Sequence, residues 1–187
     1  MNAVDKPKIE EAVRMILTAI GEDVNREGLR ETPARVARMY SQVLNGQFLD
    51  IADHEKIFFE KLNNMVIVKD IPIYSFCEHH LALFHGKIHI GYVPQNKVIG
   101  LSKLARVARV FAKRVQIQER LTDQIADALN RLLTPKGVMV YIEAEHTCMT
   151  IRGVRTPGAK TITSAIRGVF ADPETGARNE FMEAING

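Results

Sequence analysis

The sequence predicts an α+β protein in which two helices pack on one face of an antiparallel sheet, with further helices at the N-terminus. Two observations support this class. Apolar residues recur at helical spacing across residues 8–45, whereas from Asn64 they alternate with the period of two that strands show. Beyond Asn64 the predicted order is strands, two helices and strands again. We therefore expect an N-terminal helical region at residues 1–63 and a sheet-bearing domain at residues 64–187.

The N-terminal region is predicted to contain two helices. Aliphatic residues recur at helical spacing from Ile9 until Gly21, which ends that run. Thr32 and Pro33 then open the second helix, with Thr32 as the N-cap and Pro33 in the first helical position. The stretch that follows is indeterminate, with a short helix around Glu55–Leu62 as one interpretation.

The sheet-bearing domain shows strands on either side of a helix pair. Three segments before the pair alternate as strands do: residues 65–68, 71–74 and 86–93. One helix is predicted to begin at Ser102 and the other near Thr122. Strands return in three further segments: residues 138–145, 148–152 and 160–170. Such a sheet leaves exposed edges that need cover, so we expect subunits to join edge to edge in an oligomer.

Composition and charge narrow the class of protein. The chain has 187 residues, of which 46% are hydrophobic, and no run approaches the ~20 apolar residues that a membrane-spanning helix needs. Its beginning lacks the apolar core of a signal peptide, so we expect a cytoplasmic protein without a membrane partner. The net charge of +3 is too small to indicate nucleic acid as a partner. From Lys97 to Arg120, however, seven Lys and Arg residues stand against Glu119 alone, a concentration that suits an anionic small molecule.

Both cysteines of the chain lie next to histidines, at Cys77-Glu78-His79-His80 and at His146-Thr147-Cys148. A C-x-x-H turn brings a thiol and an imidazole to one point, and an extended H-x-C would place both side chains on one face of a strand. Together the two halves offer ligands that suit Zn²⁺, and two unrelated free thiols are the alternative. We favour a metal site, because the chain has no cysteine besides these two.

The number of ligands decides the type of site. Binding by Cys77, His80, His146 and Cys148 together would give a closed structural site, whereas three protein ligands would leave a position for water. Spacing alone leaves both possibilities open. The surplus of candidates, with His79 as a fifth, favours an open catalytic site in which a spare histidine carries protons.

Further residues suit an anionic substrate. Ser102, Lys103 and Arg106 lie at a predicted helix start, where free N–H groups and the helix dipole attract anions, although an N-cap with solvated bases is the alternative. Glu119, just before the second helix, suits either a capping residue or a carboxylate that accepts two parallel hydrogen bonds from guanine. Arg152 lies four residues beyond the second cysteine, close to any substrate on the metal.

These motifs resemble those of GTP cyclohydrolase I over residues 27–170. The resemblance rests on five segments: EGLRETPARVARMY, SFCEHHLALFHGKIHIGYVP, VIGLSKLARV, RVQIQERLTDQIADAL and EAEHTCMTIRGVRTPG. The CEHH and QIQERLT blocks are highly specific in combination. The resemblance implies the tunnelling fold and a homodecamer of two face-to-face pentamers. It also implies active sites between subunits, with the guanine pocket and the zinc drawn from different chains.

The resemblance further implies a role for each site residue. Zinc would be held by Cys77, His80 and Cys148, with His79 and His146 as acid–base residues. The guanine would be read by Glu119 and Gln118, and the ribose and triphosphate would be contacted by Ser102, Lys103, Arg106 and Arg152.

The implied reaction is the hydrolysis of GTP to 7,8-dihydroneopterin triphosphate and formate, the first step of tetrahydrofolate and pterin biosynthesis. It proceeds by opening of the purine ring at C8, Amadori rearrangement of the sugar and ring closure. Two other classes of protein stay open. A structural zinc module that binds nucleic acid through the basic segment would need a closed four-ligand site. A metal-free relative of the same fold, which reduces a nitrile through a covalent cysteine, would not need the second thiol.

Overall fold

The structure is a computed structural model that describes residues 3–51 and 57–187. The chain forms two compact units that divide between Leu49 and Asp50. The domain boundary predicted between residues 63 and 64 lies farther along the chain and stays a prediction. The helices within the described ranges are too short or too polar to cross a membrane.

The first unit contains the two predicted helices, α1 at Lys6–Ala19 and α2 at Thr32–Val43. Gly21 follows the end of α1 in the left-handed region, with φ 87°, a conformation that glycine adopts without strain. The N-cap of α2 is Glu31, and Thr32 is its first helical residue. The end of the first helix is therefore confirmed, and the predicted N-cap of the second is wrong by one position.

The second unit is built on a five-stranded sheet. The strands of this unit, including two outside that sheet, are in chain order β1 Ile57–Phe59, β2 Val66–Cys77, β3 Leu83–Val93, β4 Lys97–Ile99, β5 Val115–Gln116, β6 Gly137–His146 and β7 Lys160–Gly168. The sheet has the order β5-β2-β3-β6-β7 and is antiparallel except for the parallel pair of β5 and β2. Strands β1 and β4 pair in a separate ribbon. The predicted antiparallel sheet is confirmed.

Two details of the predicted strands need correction. The segments predicted at 65–68 and 71–74 are parts of one strand, β2, in which the register to β3 shifts and Asp70 has φ 60°. The short helix considered around Glu55–Leu62 is wrong in its described part, because residues 57–59 form β1 and pair with β4. The first two residues of that segment lie outside the described residues.

Two long helices cover one face of the sheet, as predicted. They are α3 at Leu101–Ala112 and α4 at Gln118–Leu133, and the one-turn helix α5 at Thr147–Thr150 follows β6. Helix α3 begins within one residue of its prediction, whereas α4 begins at Gln118 rather than near Thr122. The apolar sides of α3 and α4 meet the inward side chains of the sheet in a core that includes Phe84, Leu104, Ile125 and Leu129.

The opposite face of the sheet is covered in part by a helix that the sequence did not predict, α6 at Ala177–Asn186. Its Phe181 is fully buried and clusters with Met139 and Phe170. The ring lies so close to β3 that a Cβ on Gly91 would come within 2.5 Å of Phe181 Cδ2. Glycine at this position therefore allows the close approach of helix to sheet.

The register of the sheet gives it two ends with different contents. Phe84, near the start of β3, pairs with His146 at the end of β6. Cys77 ends β2 at this same end of the sheet. Val93 ends β3 about 30 Å away, at roughly 3.3 Å per residue. Both predicted metal half-sites therefore lie at one end of the sheet, which we call the cysteine end.

Candidate metal centre and active site

The first half-site is a tight turn at the end of β2. Cys77 N donates to Ala82 O at 2.8 Å, and Leu81 N donates back to Cys77 O at 2.9 Å. Leu81 adopts the left-handed region with φ 50° to close this turn. The turn thus holds the buried Cys77 and places His80 on the same short loop.

The second half-site differs from the extended segment that the sequence predicted. His146 ends β6, and the next four residues fold into α5. The hydroxyl of Thr147 donates to Leu83 O at 2.6 Å and so fastens the start of this helix to β3. The predicted strand around 148–152 is therefore wrong, and His146 and Cys148 do not share the face of a strand.

Despite that difference, the two halves meet. One ligand atom from each of Cys77, His80 and Cys148 lies within 4.8 Å of those of the other two, and we call these residues the three-ligand cluster. Burial and the neighbouring Cys77 sulfur raise the pKa of the Cys148 thiol, while the charge of Arg152 acts in the opposite direction. A bound cation would supply positive charge to a pair of thiols that must lose their protons to bind it. Two thiols and an imidazole form a donor set that suits Zn²⁺.

His146 does not join the three-ligand cluster. Its ring stacks on Phe84, with centroids 4.5 Å apart and planes at 11°. Its Nε2 lies 2.9 Å from Gln118 Oε1. Within the described ranges, three protein ligands rather than four therefore come together, which is the number typical of an open site.

Two histidines flank the cluster. His79 is exposed, and its Nδ1 lies 3.6 Å from Cys77 Sγ. His146 is half-buried, and burial lowers the pKa of its imidazole, while the charge of Glu119 acts in the opposite direction. The site thus combines an imidazole open to solvent with one shielded from it, both suited to moving protons.

Gln118 and Glu119 lie in the first turn of α4 rather than before it. Glu119 is exposed, in the turn where the helix dipole favours a carboxylate. Gln118 is 1% exposed, and its Nε2 donates to Ile142 O at 3.2 Å, Thr161 O at 3.0 Å and Thr163 Oγ1 at 3.1 Å. Both ends of this amide are occupied inside the subunit, so the guanine contact expected of Gln118 stays a prediction that its side-chain position does not favour.

The structure does not bring Ser102, Lys103 and Arg106 to the three-ligand cluster. They lie in the first half of α3, which begins directly after β4 at the end of the sheet remote from the cysteines. Helix α3 ends at Ala112, shortly before β5 pairs with the end of β2. A rise of 1.5 Å per residue places Ser102 about 15 Å from Ala112. These residues therefore lie away from the cysteine end of their own chain.

An ion pair that the sequence did not reveal joins α4 to the turn at residues 77–82, which we call the metal turn. The Arg120 guanidinium donates twice to the Glu78 carboxylate, at 2.6 and 3.2 Å, in the two-point geometry that orients both groups. Glu78 N also donates to Gln116 O at 2.9 Å. The pair links the turn of the cysteine motif to the residue that follows Glu119. Isolated charges far apart in sequence carry no signal of such pairing.

Comparison with known proteins gives consistent matches. The family model described as GTP cyclohydrolase I matches residues 9–186. The GTP cyclohydrolase 1 of Carboxydothermus hydrogenoformans is 64% identical over 184 residues, which cover 97% of this chain and 95% of that protein. That of Bacillus subtilis is 56% identical over 187 residues, covering 99% of this chain and 98% of that protein. Among solved structures, an archaeosine synthase QueF-Like aligns with 56% of this chain and 93% of its own, at TM-score 0.47 and 15% identity.

Proposed function

Because the chain belongs to the GTP cyclohydrolase I family and is an enzyme that acts on GTP, we propose that it requires zinc and converts GTP to 7,8-dihydroneopterin triphosphate and formate. Its second unit has the tunnelling fold of that family. The observation that supports zinc best is the three-ligand cluster of Cys77, His80 and Cys148, with His79 and His146 beside it but outside the ligand set.

The ligand set suits a catalytic metal. Cys77, His80 and Cys148 would hold the zinc from two segments of one chain and leave a fourth position open. When bound, zinc acts as a Lewis acid and lowers the pKa of a bound water to about 7. The bidentate pair of Glu78 and Arg120 would keep the metal turn aligned with the start of α4.

The two flanking histidines would handle protons. We assign to His146 the transfer of a proton to N7 of the purine: the imidazole first takes up a proton and then delivers it as the bond between C8 and nitrogen opens. Stacking on Phe84 and shielding from solvent suit a group that must hold one orientation. We assign to His79, which is exposed beside Cys77, the exchange of protons with solvent.

Glu119 would select guanine. Its carboxylate offers two acceptors for the N1–H and 2-amino donors, and adenine lacks this donor pair and would leave the charge unpaired. The charge of Glu119 acts on the imidazole of His146 in the same chain, and this supports a guanine contact near the proposed proton donor. Arg152, whose charge acts on Cys148, would contact the ribose or triphosphate from the same side.

Ser102, Lys103 and Arg106 would bind the triphosphate from a neighbouring subunit, because they lie far from the cysteine end of their own chain. This arrangement supports a site shared between subunits, and we propose the homodecamer of two pentamers as the assembly. It differs in one respect from the expectation drawn from the sequence. We propose that Glu119 and the zinc belong to the same chain, and that the second chain supplies the anion-binding residues.

The product would enter tetrahydrofolate and pterin biosynthesis. We place the reaction in the cytoplasm, because the two thiols must stay reduced to bind zinc.

The test is to purify the protein without chelator, measure zinc per subunit, and follow formate and pterin release from GTP. We expect one zinc per subunit, and we expect Cys148→Ser to lose zinc and turnover together while its circular dichroism stays that of the folded protein. As a control, His85→Gln alters an exposed histidine outside the cluster and should keep both. Full turnover by zinc-free protein would contradict the zinc requirement, and turnover without formate would contradict the reaction.

A further inference from the structure

We propose that Gln118 is a positioning residue that fixes His146 in the tautomer with its proton on Nε2, so that Nδ1 is the nitrogen with a free lone pair. The use of that lone pair in catalysis rests on the proposed function. The tautomer itself rests only on the hydrogen bonds around Gln118 and can be tested without turnover.

The hydrogen-bond partners of Gln118 fix the orientation of its amide. One end of the amide faces Ile142 O, Thr161 O and Thr163 Oγ1 at 3.0 to 3.2 Å. Two of these partners are carbonyl oxygens, which only accept hydrogen bonds, so the NH₂ group must occupy this end. The opposite orientation would set a third oxygen against two buried carbonyls. Gln118 Oε1 therefore faces the imidazole.

A closed circuit of hydrogen bonds holds the amide in place. Thr122 Oγ1 donates its single proton to Gln118 O at 2.7 Å. In the 2.6 Å contact between Thr122 and Thr163, the proton must then come from Thr163. Thr163 Oγ1 is thereby left to accept from Gln118 Nε2. The directions of the two hydroxyl hydrogen bonds are thereby fixed, and the Gln118 side chain at the centre of the circuit is almost completely buried.

The oriented amide determines which nitrogen of the His146 imidazole carries the proton. His146 Nε2 lies 2.9 Å from Gln118 Oε1, an atom that has no proton to give. Nε2 must therefore donate, which leaves Nδ1 without a proton in the neutral ring. Stacking on Phe84 at 4.5 Å fixes the plane of the ring. Together the circuit and the stacked ring determine which nitrogen can exchange a proton with a substrate.

This role differs from reading guanine. Gln118 would act on the reaction through His146 alone, as partners that orient functional histidines do. Removing its amide should lower kcat by about 10- to 100-fold, the range for loss of such a partner, and should change KM for GTP little. Removal of a guanine contact would instead raise KM.

The experiment uses the zinc-loaded protein with ¹⁵N-labelled histidine, sedimented for solid-state NMR at a pH where imidazoles are neutral. The His146 signals are identified by their loss in His146→Gln. We expect a protonated Nε2 and a bare Nδ1 in the wild type, and a mixture of tautomers in Gln118→Leu. A bare Nε2 in the wild type would overturn the proposal, and this spectrum decides the matter even if Gln118→Leu does not fold.

Gln116→Leu is the matched control. Gln116 is also 1% exposed, and its amide donates to Phe111 O and Gln124 Oε1 instead of facing His146. It should disturb packing similarly and leave the His146 tautomer unchanged, with a smaller loss of kcat than Gln118→Leu. Equal losses in both variants, or a raised KM with unchanged kcat in Gln118→Leu, would refute a positioning role. A protein that shows the expected tautomer but does not act on GTP would contradict the proposed function instead.

Discussion

The division of the active site between two chains can be tested by mixing inactive subunits. Cys148→Ser removes a proposed zinc ligand at the cysteine end, and Arg106→Ala removes a proposed triphosphate contact on α3. In one chain these positions are separated, because at 1.5 Å per residue Arg106 lies about 9 Å along α3 from the end of that helix beside β5. Each variant alone should therefore spoil a different half of every site.

The recovery can be worked out from this partition. After dissociation and reassembly of equal amounts, half of all subunits carry an intact cysteine end, and half carry an intact α3 start. A site is complete when an intact cysteine end meets an intact α3 start, so about one quarter of sites should work if subunits mix at random. Formate release from GTP should rise from the low rate of each variant to roughly a quarter of the wild-type rate.

A second mixture makes the prediction specific. Cys148→Ser and Glu119→Ala both alter the cysteine end, where the charge of Glu119 acts on His146 of the same chain. No site in that mixture would contain an intact cysteine end, so activity should not recover. Recovery in this mixture and none in the first would refute the proposed division of residues between the two chains, and a fully active monomer on a sizing column would refute a shared site.

Three further predictions concern selectivity and stability. Glu119→Gln replaces an acceptor with a donor that faces guanine's own donors. The lower kcat/KM for GTP should correspond to a loss of about 2 to 4 kcal/mol of transition-state stabilisation. Turnover at the wild-type rate would place guanine recognition elsewhere. Burial lowers the pKa of His89 below its ordinary value of 6.5, so the unfolded chain binds that proton more readily and unfolding free energy should decline as pH falls through this value. His89→Gln should flatten that decline in denaturant titrations at fixed protein concentration, and an unchanged decline would contradict this origin. Phe181→Ala empties the fully buried position of α6 and should lower the free energy of unfolding by about 3 to 5 kcal/mol, and a loss below about 1 kcal/mol would show that α6 packs loosely.

The sequence predicted the architecture where the hydrophobic periodicity and the residues that begin or end helices and strands were clear. The alternation in residues 86–93 and the helical spacing of α3 reflect burial on one face, which local pattern records directly. The pattern was less informative for α4, because Gln118 in its first turn is a polar residue whose side chain is buried and hydrogen-bonded. Helix α6 was missed because its burial depends on the distant Gly91 and Phe170.

The candidate site shows the same division between local and distant information. Paired cysteines and histidines indicated a metal site, and three of the candidates do meet at ligand distance. The H-x-C segment appeared extended, but the hydroxyl of Thr147 bonds to Leu83 O and a helical turn forms instead. No local pattern shows that Gln118 faces His146 or that Glu78 pairs with Arg120, because both contacts join residues brought together only by the fold.

We expect Cys77, His80 and Cys148 to bind one zinc ion and to leave its fourth position open. Anomalous diffraction at the zinc edge from crystals of the protein purified without chelator tests it most directly. We predict one zinc peak per subunit, about 2.3 Å from both sulfurs and about 2.0 to 2.1 Å from a His80 nitrogen, with His146 outside the coordination sphere on Gln118. A zinc ion with His146 as its fourth ligand, or active crystals without a zinc peak at these residues, would contradict this claim.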